Sequence, residues 1–480
     1  MLKSTVADAE WRASRALAGG PAASATQPTH RAVIFTTVAL ALMMMSIDST
    51  IIATALHTLQ QDLHTTINWA GWVITAYAFG FVLMLPISGK LSQHYGHRRV
   101  FLGSVGVFTA ASLCCGLVTN IYALIALRAL QAAGGAGFTP SATGIIVDHF
   151  GNARDRAVGL FGSIFPVGTM IGPIFGGLFV AYWSWRDIFF INVPIGLAVL
   201  MLALTCIPRD NASARAPRER MDAPGLALLG SALFAAMFAA SYLGEPSASL
   251  TSVEFLLPAV AAIAAGAGFV WRIRRASQPF IAPRYIYGAG FGAVNLINVT
   301  FGGITGGIVL LAPLYATNRY GIDALGSGTL LIAEGVAAII LSFTVTMALR
   351  RTGYRAPLYV GCILIAVGTL LLALPPLAGI PPYAWLAGAT FLVGAGGGTI
   401  SPPSRNAGLQ LAPEQSSTLA AMRSLFNQVG EIATVSIATA IMAGTAHAGV
   451  SQAWIYAGIA AFLVLALPLV ARIPEHRGSW

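Results

Sequence analysis

The sequence predicts an all-α polytopic membrane protein with fourteen helical crossings, and three observations carry that prediction. Hydrophobic residues make up 56% of the 480 and charged residues only 9%, where a soluble domain carries about 25% charged residues. Apolar runs long enough to cross ~30 Å of hydrocarbon, roughly 20 residues each, recur along the whole chain. The Lys and Arg behind the net charge of +10 gather between alternate runs, as the cationic excess of cytoplasmic loops requires.

The runs fall near residues 32–57, 69–91, 100–119, 121–147, 156–181 and 187–207, then 223–243, 253–272, 289–315, 326–349, 357–378, 383–408, 417–444 and 451–471. Residues 1–31, rich in Ala, Ser and Thr, read as a cytoplasmic tail, because the first run exceeds the ~7–15 residues of a signal-peptide core. With both termini inside, "GHRRV", "PRDNASARAPRER", "WRIRR" and "RRTGYR" all fall on the cytoplasmic face, and an odd number of spans would scatter them. The positive charge therefore speaks of topology and not of nucleic acid. Cys114, Cys115, Cys206 and Cys362 lie inside predicted spans without a C-x-x-C pair and read as packing residues. His94 and His97 of "HYGH" sit in a basic loop without carboxylates, so no metal or organic cofactor is expected.

A faint duplication runs through the chain. "GHRRVFLGSVGV" after span 2 resembles "GYRAPLYVGCIL" after span 10, which sets Gly96 on Gly353 and Arg98 on Arg355. The echo predicts two six-helix halves, residues 32–207 and 289–472, with two inserted helices (223–274) behind a charged linker (208–222) and a short cytoplasmic tail (473–480). Two such halves rocking about a central site give alternating access.

Five segments then acquire a common meaning. "SIDSTIIATALHTL" in span 1, "GKLSQHYGHRR" after span 2, "LIALRALQAAGGAG" in span 4, "GTMIGPIFGG" in span 5 and "WSWRDIFFINVPIG" entering span 6 resemble, in order, motifs of the major facilitator superfamily. Within it they are similar to the fourteen-helix drug:proton antiporters. "QPFIAPRYI" and "GAGGGTISPPSRNAG" resemble second-half segments more loosely. The resemblance implies a major facilitator fold, protons as the coupling ion, a gating loop in Gly89, Gly96, Arg98 and Arg99, and an antiporter motif in Gly168, Gly172, Pro173, Gly176 and Gly177. Gln93 departs from the pattern: the loop motif carries an Asp there, so a charge that latches the cytoplasmic side is missing.

The span 5 glycines also have a reading of their own. Gly168, Gly172 and Gly176 recur every four residues and make a smooth strip for close helix approach, while Pro166 and Pro173 remove backbone donors and bend the helix. Packing alone would explain the spacing. In the family the strip is held to seal the halves against leakage and to favour exchange.

Charges inside spans cost ~2.5 to 3.5 kcal/mol at a helix centre, so each needs a reason. At ~1.5 Å per residue, Asp48 lies about 14 Å and Arg128 about 10 Å below the external surface, similar depths in one half. Competition between the Arg charge and desolvation would make Asp48 a group that takes and releases protons; the plainer reading is a lock between spans 1 and 4. Glu334 lies about 12 Å from the outside and Glu431 about 21 Å from the inside, with no cation of their half at that depth. Proton coupling is therefore expected at Asp48, Arg128, Glu334 and Glu431, against the alternative of protonated acids bonded to backbone. Glu334, Glu431, Tyr77, Phe301 and Gln428 are the expected substrate-binding residues. Arg405 and Arg423, nearer the cytoplasm, are expected to snorkel toward the inner headgroups.

These features predict a multi-pass antiporter of a bacterial inner membrane, both termini cytoplasmic, that admits protons and expels lipophilic, cationic compounds. Its partners would be small lipophilic substrates and the bilayer, not nucleic acid. The short segment 445–450 between the last two spans argues against a periplasmic adaptor. A proton-coupled exporter or symporter of a natural metabolite on the same fold is the nearest alternative. A membrane enzyme is the more distant one, since the short external loops hold no metal-spacing or nucleophile motif.

Overall fold

Helices are what this sequence must form in a bilayer, because only a helix satisfies every backbone group within its own segment. The structure, a computed structural model, describes residues 31–65, 67–210, 222–242, 249–277, 279, 281–322, 324–443, 445 and 447–475. The surroundings of some residues within helices, Pro173 and Gly177 among them, lie outside the description. So do most of the expected N-terminal tail and linker. The first half comprises α1 (Arg31–Asp62), α2 (Ile67–Tyr95), α3 (His97–Leu117), α4 (Ile121–Gly135), α5 (Phe138–Phe150), α6 (Arg154–Tyr182), α7 (Asp187–Phe190) and α8 (Asn192–Cys206). Then come α9 (Ala223–Tyr242) and α10 (Val253–Arg275). The remainder is α11 (Pro283–Tyr287), α12 (Phe291–Ile297), a π-helical turn (Asn298–Gly303), α13 (Ile304–Tyr320), α14 (Ala324–Thr352), α15 (Arg355–Ala373), α16 (Pro382–Leu411), α17 (Ser416–Ala443) and α18 (Ala448–Ala466).

Local chemistry explains several boundaries. The Asn120 side chain accepts from the Tyr122 and Ala123 amides at 2.8 and 3.3 Å and starts α4, supplying partners that the first helical turn lacks. Gly321, at φ 65°, ends α13 in the left-handed conformation that glycine adopts without steric cost.

Ten stretches of the described residues are long and apolar enough to cross a membrane. The fourteen expected crossings thus stay an expectation of the sequence. α16 and α17, 30 and 28 residues long, fall below that apolarity because they carry Ser404, Arg405 and Asn406, or Arg423, Asn427, Gln428 and Glu431. The most polar helices are the ones that line the interior.

α1 packs on α6 and α8, α2 on α4, and α3 on α4 and α8; in the other half α14 and α15 both pack on α16, and α13 on α17. The halves meet where α6 lies along α14 and α16, and where α2 and α5 lie along α17. α9 packs on α10 and reaches α2, with Phe79 and Phe234 edge to face at 4.8 Å. Arg272 at the end of α10 pairs with Asp222 before α9 at 3.1 Å. The inserted pair is therefore a hairpin on the flank, and only 6% of α10's apolar window is buried, as in a lipid-facing helix.

The sequence echo has a structural counterpart. Gly96 and Gly353 both take positive φ, 103° and 70°, just before α3 and α15. Asp210 accepts from the Arg98 and Arg99 amides at 3.0 and 3.2 Å, and Glu475 accepts from the Tyr354 amide at 2.8 Å. A carboxylate thus complements the positive end of each helix. Arg98 in turn donates to the Leu204 carbonyl at 2.7 Å at the end of α8, and Arg355 donates to the Ile473 carbonyl at 2.8 Å after α18.

Candidate functional site

Asp48 sits at the centre of a closed polar network inside the first half. Its Oδ2 accepts from Arg128 at 2.7 Å. Its Oδ1 accepts from Gln131 at 2.9 Å and Asn192 at 2.8 Å. Gln131 and Asn192 both also donate to Ser112 Oγ at 3.0 Å, and Ser112 donates to the Phe189 carbonyl at 3.0 Å. Asp48 and Arg128 are each 1% exposed. Tyr77 and Phe189 flank the guanidinium, whose carbon is 4.2 and 5.6 Å from their ring centroids. Donors from α4 and α8 converge on the carboxylate carried by α1, and Ser112 joins them from α3, so the pair binds together the tertiary structure of its half. A charge pair this enclosed persists because its lone pairs are filled. Gln131, Asn192 and Ser112 went unremarked in the sequence. The signal for Gln131 was its place one turn after Arg128, whereas Asn192 and Ser112 depend on tertiary folding.

Of the expected substrate-binding residues, neither Tyr77 nor Phe301 is exposed. Tyr77 is 7% exposed beneath Arg128, and Phe301 is fully buried in the core of the second half. Gln428 is only half-buried on α17.

The antiporter glycines close a different gap from the one expected. A Cβ on Gly168 would collide with Ser46 and lie 3.1 Å from the Ile47 amide nitrogen, and one on Gly172 would collide with Thr50. Ser46 donates to the Phe165 carbonyl at 2.8 Å. The strip therefore seats α6 on the segment of α1 that carries Asp48, within one half, and does not itself seal the seam. The seam lies on the other face of α6, where Gly159 and Gly162 meet Thr346, Ser342 and Ser401, and Pro166 and Met170 meet Gly335. Gly176 is buried, and the surroundings of Pro173 and Gly177 lie outside the description. Gly168→Val should push α1 from α6 and cost about 1–3 kcal/mol as overpacking, read as a lower unfolding midpoint in detergent.

At the end of the bundle that carries Arg98, Arg99, Arg154, Arg350 and Arg355, here the basic end, the halves are latched. Ser417 donates to the Gly89 carbonyl at 3.1 Å. Thr418 donates to Gln93 Oε1 at 2.8 Å, and Gln93 Nε2 donates to the Glu414 carbonyl at 3.4 Å. Asn406 and Gln410 donate to the Asp155 carbonyl and carboxylate at 3.1 and 3.3 Å. Gln93 thus keeps a cross-seam role without the charge expected there, using both faces of its amide. Gly89 allows the contact, since a Cβ would lie 2.7 Å from that of Ala421 and 3.1 Å from the Ser417 oxygen. Of the loop residues, Gly96, Arg98 and Arg99 shape the start of α3, and Gly89 belongs to the seam. Gly89→Val should hold this end open. In a protein lacking its native cysteines, an Ala420→Cys probe should then react with an impermeant thiol reagent about tenfold faster from the basic side.

Glu334 on α14 and Glu431 on α17 are half-buried and form no hydrogen bond or ion pair among the described residues. Glu431 faces α13, where a Cβ on Gly306 would lie 2.9 Å from its Oε2. Gly303 and Gly430 bring α17 against the π-helical turn, with 2.6 Å between a Gly303 Cβ and the Gly430 Cα. π-helical insertions recur at functional sites. The "GGITGG" spacing, Gly302 to Gly307, was the available sequence signal for this contact.

Arg405 and Arg423 do not snorkel. Both line a small cavity of about 20 Å³ between the halves, shared with Thr139 and Thr143 of α5, Asn295 and Asn298 near the π-helical turn, and Ser404. At the end opposite the basic one, Arg186 pairs with Asp62 at 2.5 Å, and that hydrogen bond holds the Asp62 carboxyl below the usual carboxylate range.

A family model described as Major Facilitator Superfamily matches residues 38–435. The tetracenomycin C resistance and export protein of Streptomyces glaucescens is 32% identical over 333 residues, 68% of this chain and 61% of that one. The methylenomycin A resistance protein of Streptomyces coelicolor is 28% identical over 454 residues, 93% of this chain and 94% of that one. The chain spans 51% to 62% of the length of several curated relatives that it matches. The crystal structure of the human organic anion transporter MFSD10 (TETRAN) superposes with a TM-score of 0.68 at 15% identity, over 92% of this chain and 100% of that one, a likeness of fold.

Proposed function

The chain belongs to the Major Facilitator Superfamily, and from that membership we propose that it is a proton-coupled exporter of lipophilic, cationic compounds, an antiporter of the bacterial inner membrane with both termini in the cytoplasm. The observation that carries the reading is the contrast between its acids. Asp48 has three partners in a sealed network, whereas Glu334 and Glu431, in the opposite half, are half-buried and have no partner among the described residues. An unpaired acid inside a membrane protein is where protons and cations are exchanged. Drug and proton would compete for Glu334 or Glu431, and the Asp48 network would hold the first half rigid while the halves move. Resistance and export are in the names of two relatives, which supports efflux over uptake. Membership in a transporter family sets aside the membrane-enzyme reading.

Each proton moving inward supplies roughly 2.3 kcal/mol per 100 mV and about 1.4 kcal/mol per pH unit. One proton exchanged for one monovalent cation keeps only the pH part. The test is proteoliposomes loaded with a cationic dye. Extrusion should follow the pH difference and stop when a protonophore collapses it; equal rates and final levels without any gradient would defeat the reading.

A further inference from the structure

We propose that Arg405 and Arg423 form an anion-binding subsite toward the basic end of the central cavity, so that the preferred cargo is a lipophilic compound bearing both a cationic nitrogen and a carboxylate. The inference rests on the export reading and deepens it by naming the cargo's chemical class.

Two guanidiniums present ten N–H donors between them. Among the described residues, two weak side-chain contacts serve these donors: Arg405 Nε to Ser401 Oγ at 3.3 Å and Arg423 to Ser404 Oγ at 3.5 Å. Arg423 Nε is enclosed without a partner, and so is the Asn298 amide nitrogen that faces the same cavity. Neither Arg forms an ion pair among the described residues, and the charge that acts on Arg423 is Arg405. Two like charges with unfilled donors inside a membrane protein are costly unless an anion sits between them. Arg, with its planar fork, is suited to a carboxylate.

Position decides whose anion this is. Leu419 and Ala420, which line the cavity, follow directly on Ser417 and Thr418 of the latch, so the Arg pair lies behind a closed seam and away from headgroups. Along α17, Glu431 stands about 12 Å further from the basic end than Arg423. One elongated molecule could place its cation near the acids and its carboxylate at the arginines.

Rhodamine 110, a free carboxylate, and rhodamine 123, its methyl ester, share one fluorophore and differ at the group in question. Purified wild-type protein should bind the acid more tightly than the ester by fluorescence polarisation. Arg405→Gln and Arg423→Gln should each weaken the acid at least about tenfold, the loss of a charge-assisted hydrogen bond, and change the ester less than about threefold. Arg405→Lys, which keeps the charge but loses the fork, should recover part of the loss, and size-exclusion profiles would identify a variant that merely misfolds. Equal binding of acid and ester by the wild type, no binding of the acid, or equal losses for both dyes would overturn the proposal. Gradient-driven transport is a separate readout. If coupling fails while the acid preference stands, the export reading falls and the subsite remains.

Discussion

Arg128→Met should leave little stably folded protein, with a loss of about 3–5 kcal/mol, the cost of an uncompensated buried charge. Whole-protein stabilities are about 5–15 kcal/mol, so such a loss is a large share. The magnitude follows from the geometry. The carboxylate of Asp48, 1% exposed, would keep Gln131 and Asn192 as donors but lose its only ion-pair partner in the network, and the Tyr77 and Phe189 rings would lose the cation between them. Asp48→Asn should be milder in shape but similar in kind, since it strands the guanidinium instead. The double variant Asp48→Leu/Arg128→Met should recover much of the loss, because removing both members of a buried pair costs less than removing one. Unfolding midpoints in detergent for the four proteins would check this. A single variant as stable as the wild type would show that the pair does not hold the half together. The same double variant separates a lock from a proton carrier: folded and still gradient-driven, it would leave Asp48 no part in coupling.

The helical rods and the faint duplication could be read from composition, hydropathy and one echo, because these depend on residue type and spacing along a single helix. Contacts between helices could not. Gln131 and Asn192 stand 83 and 144 residues from Asp48 in sequence, Ser112 joins them from α3, and a polar residue in a span does not announce which neighbour it will meet. Depth does carry information: the rise per residue sets Asp48 and Arg128 at matching levels, and they are in contact at 2.7 Å. Depth without direction misled elsewhere. Counting along the helix sets Arg405 and Arg423 near a headgroup layer, but the rotation of α16 and α17 turns them inward. The glycine strip shows the same limit. Its period specified a close helix approach, while the partner, α1 rather than the other half, was set by which face of α6 turns toward Ser46.

Glu431→Gln should abolish gradient-driven accumulation, lowering it by at least about tenfold, while leaving dye exchange down its own concentration gradient measurable. The substitution keeps size and hydrogen-bonding capacity and removes only the ability to bind and release a proton, so a purely structural role would move neither rate. The surroundings make Glu431 the sharper choice than Glu334. Its carboxylate lies against Gly306, and the backbone beside it passes the π-helical turn at Gly303 and Gly430, so a change in its charge or hydration acts where α17 packs tightly on that turn. α17 is also the helix whose opposite end carries Ser417 and Thr418, the donors that close the seam to Gly89 and Gln93. Protonation at one end and latching at the other would then share one rigid element, which is the physical link that alternating access needs. The Glu334→Gln variant, measured beside it, assigns the coupling. If Glu431→Gln keeps full proton-driven accumulation and Glu334→Gln loses it, the driving group is on α14 and the path to the seam runs through its contact with α6. If both retain it, neither acid drives the exchange, and the unpaired carboxylates must be explained by substrate charge alone.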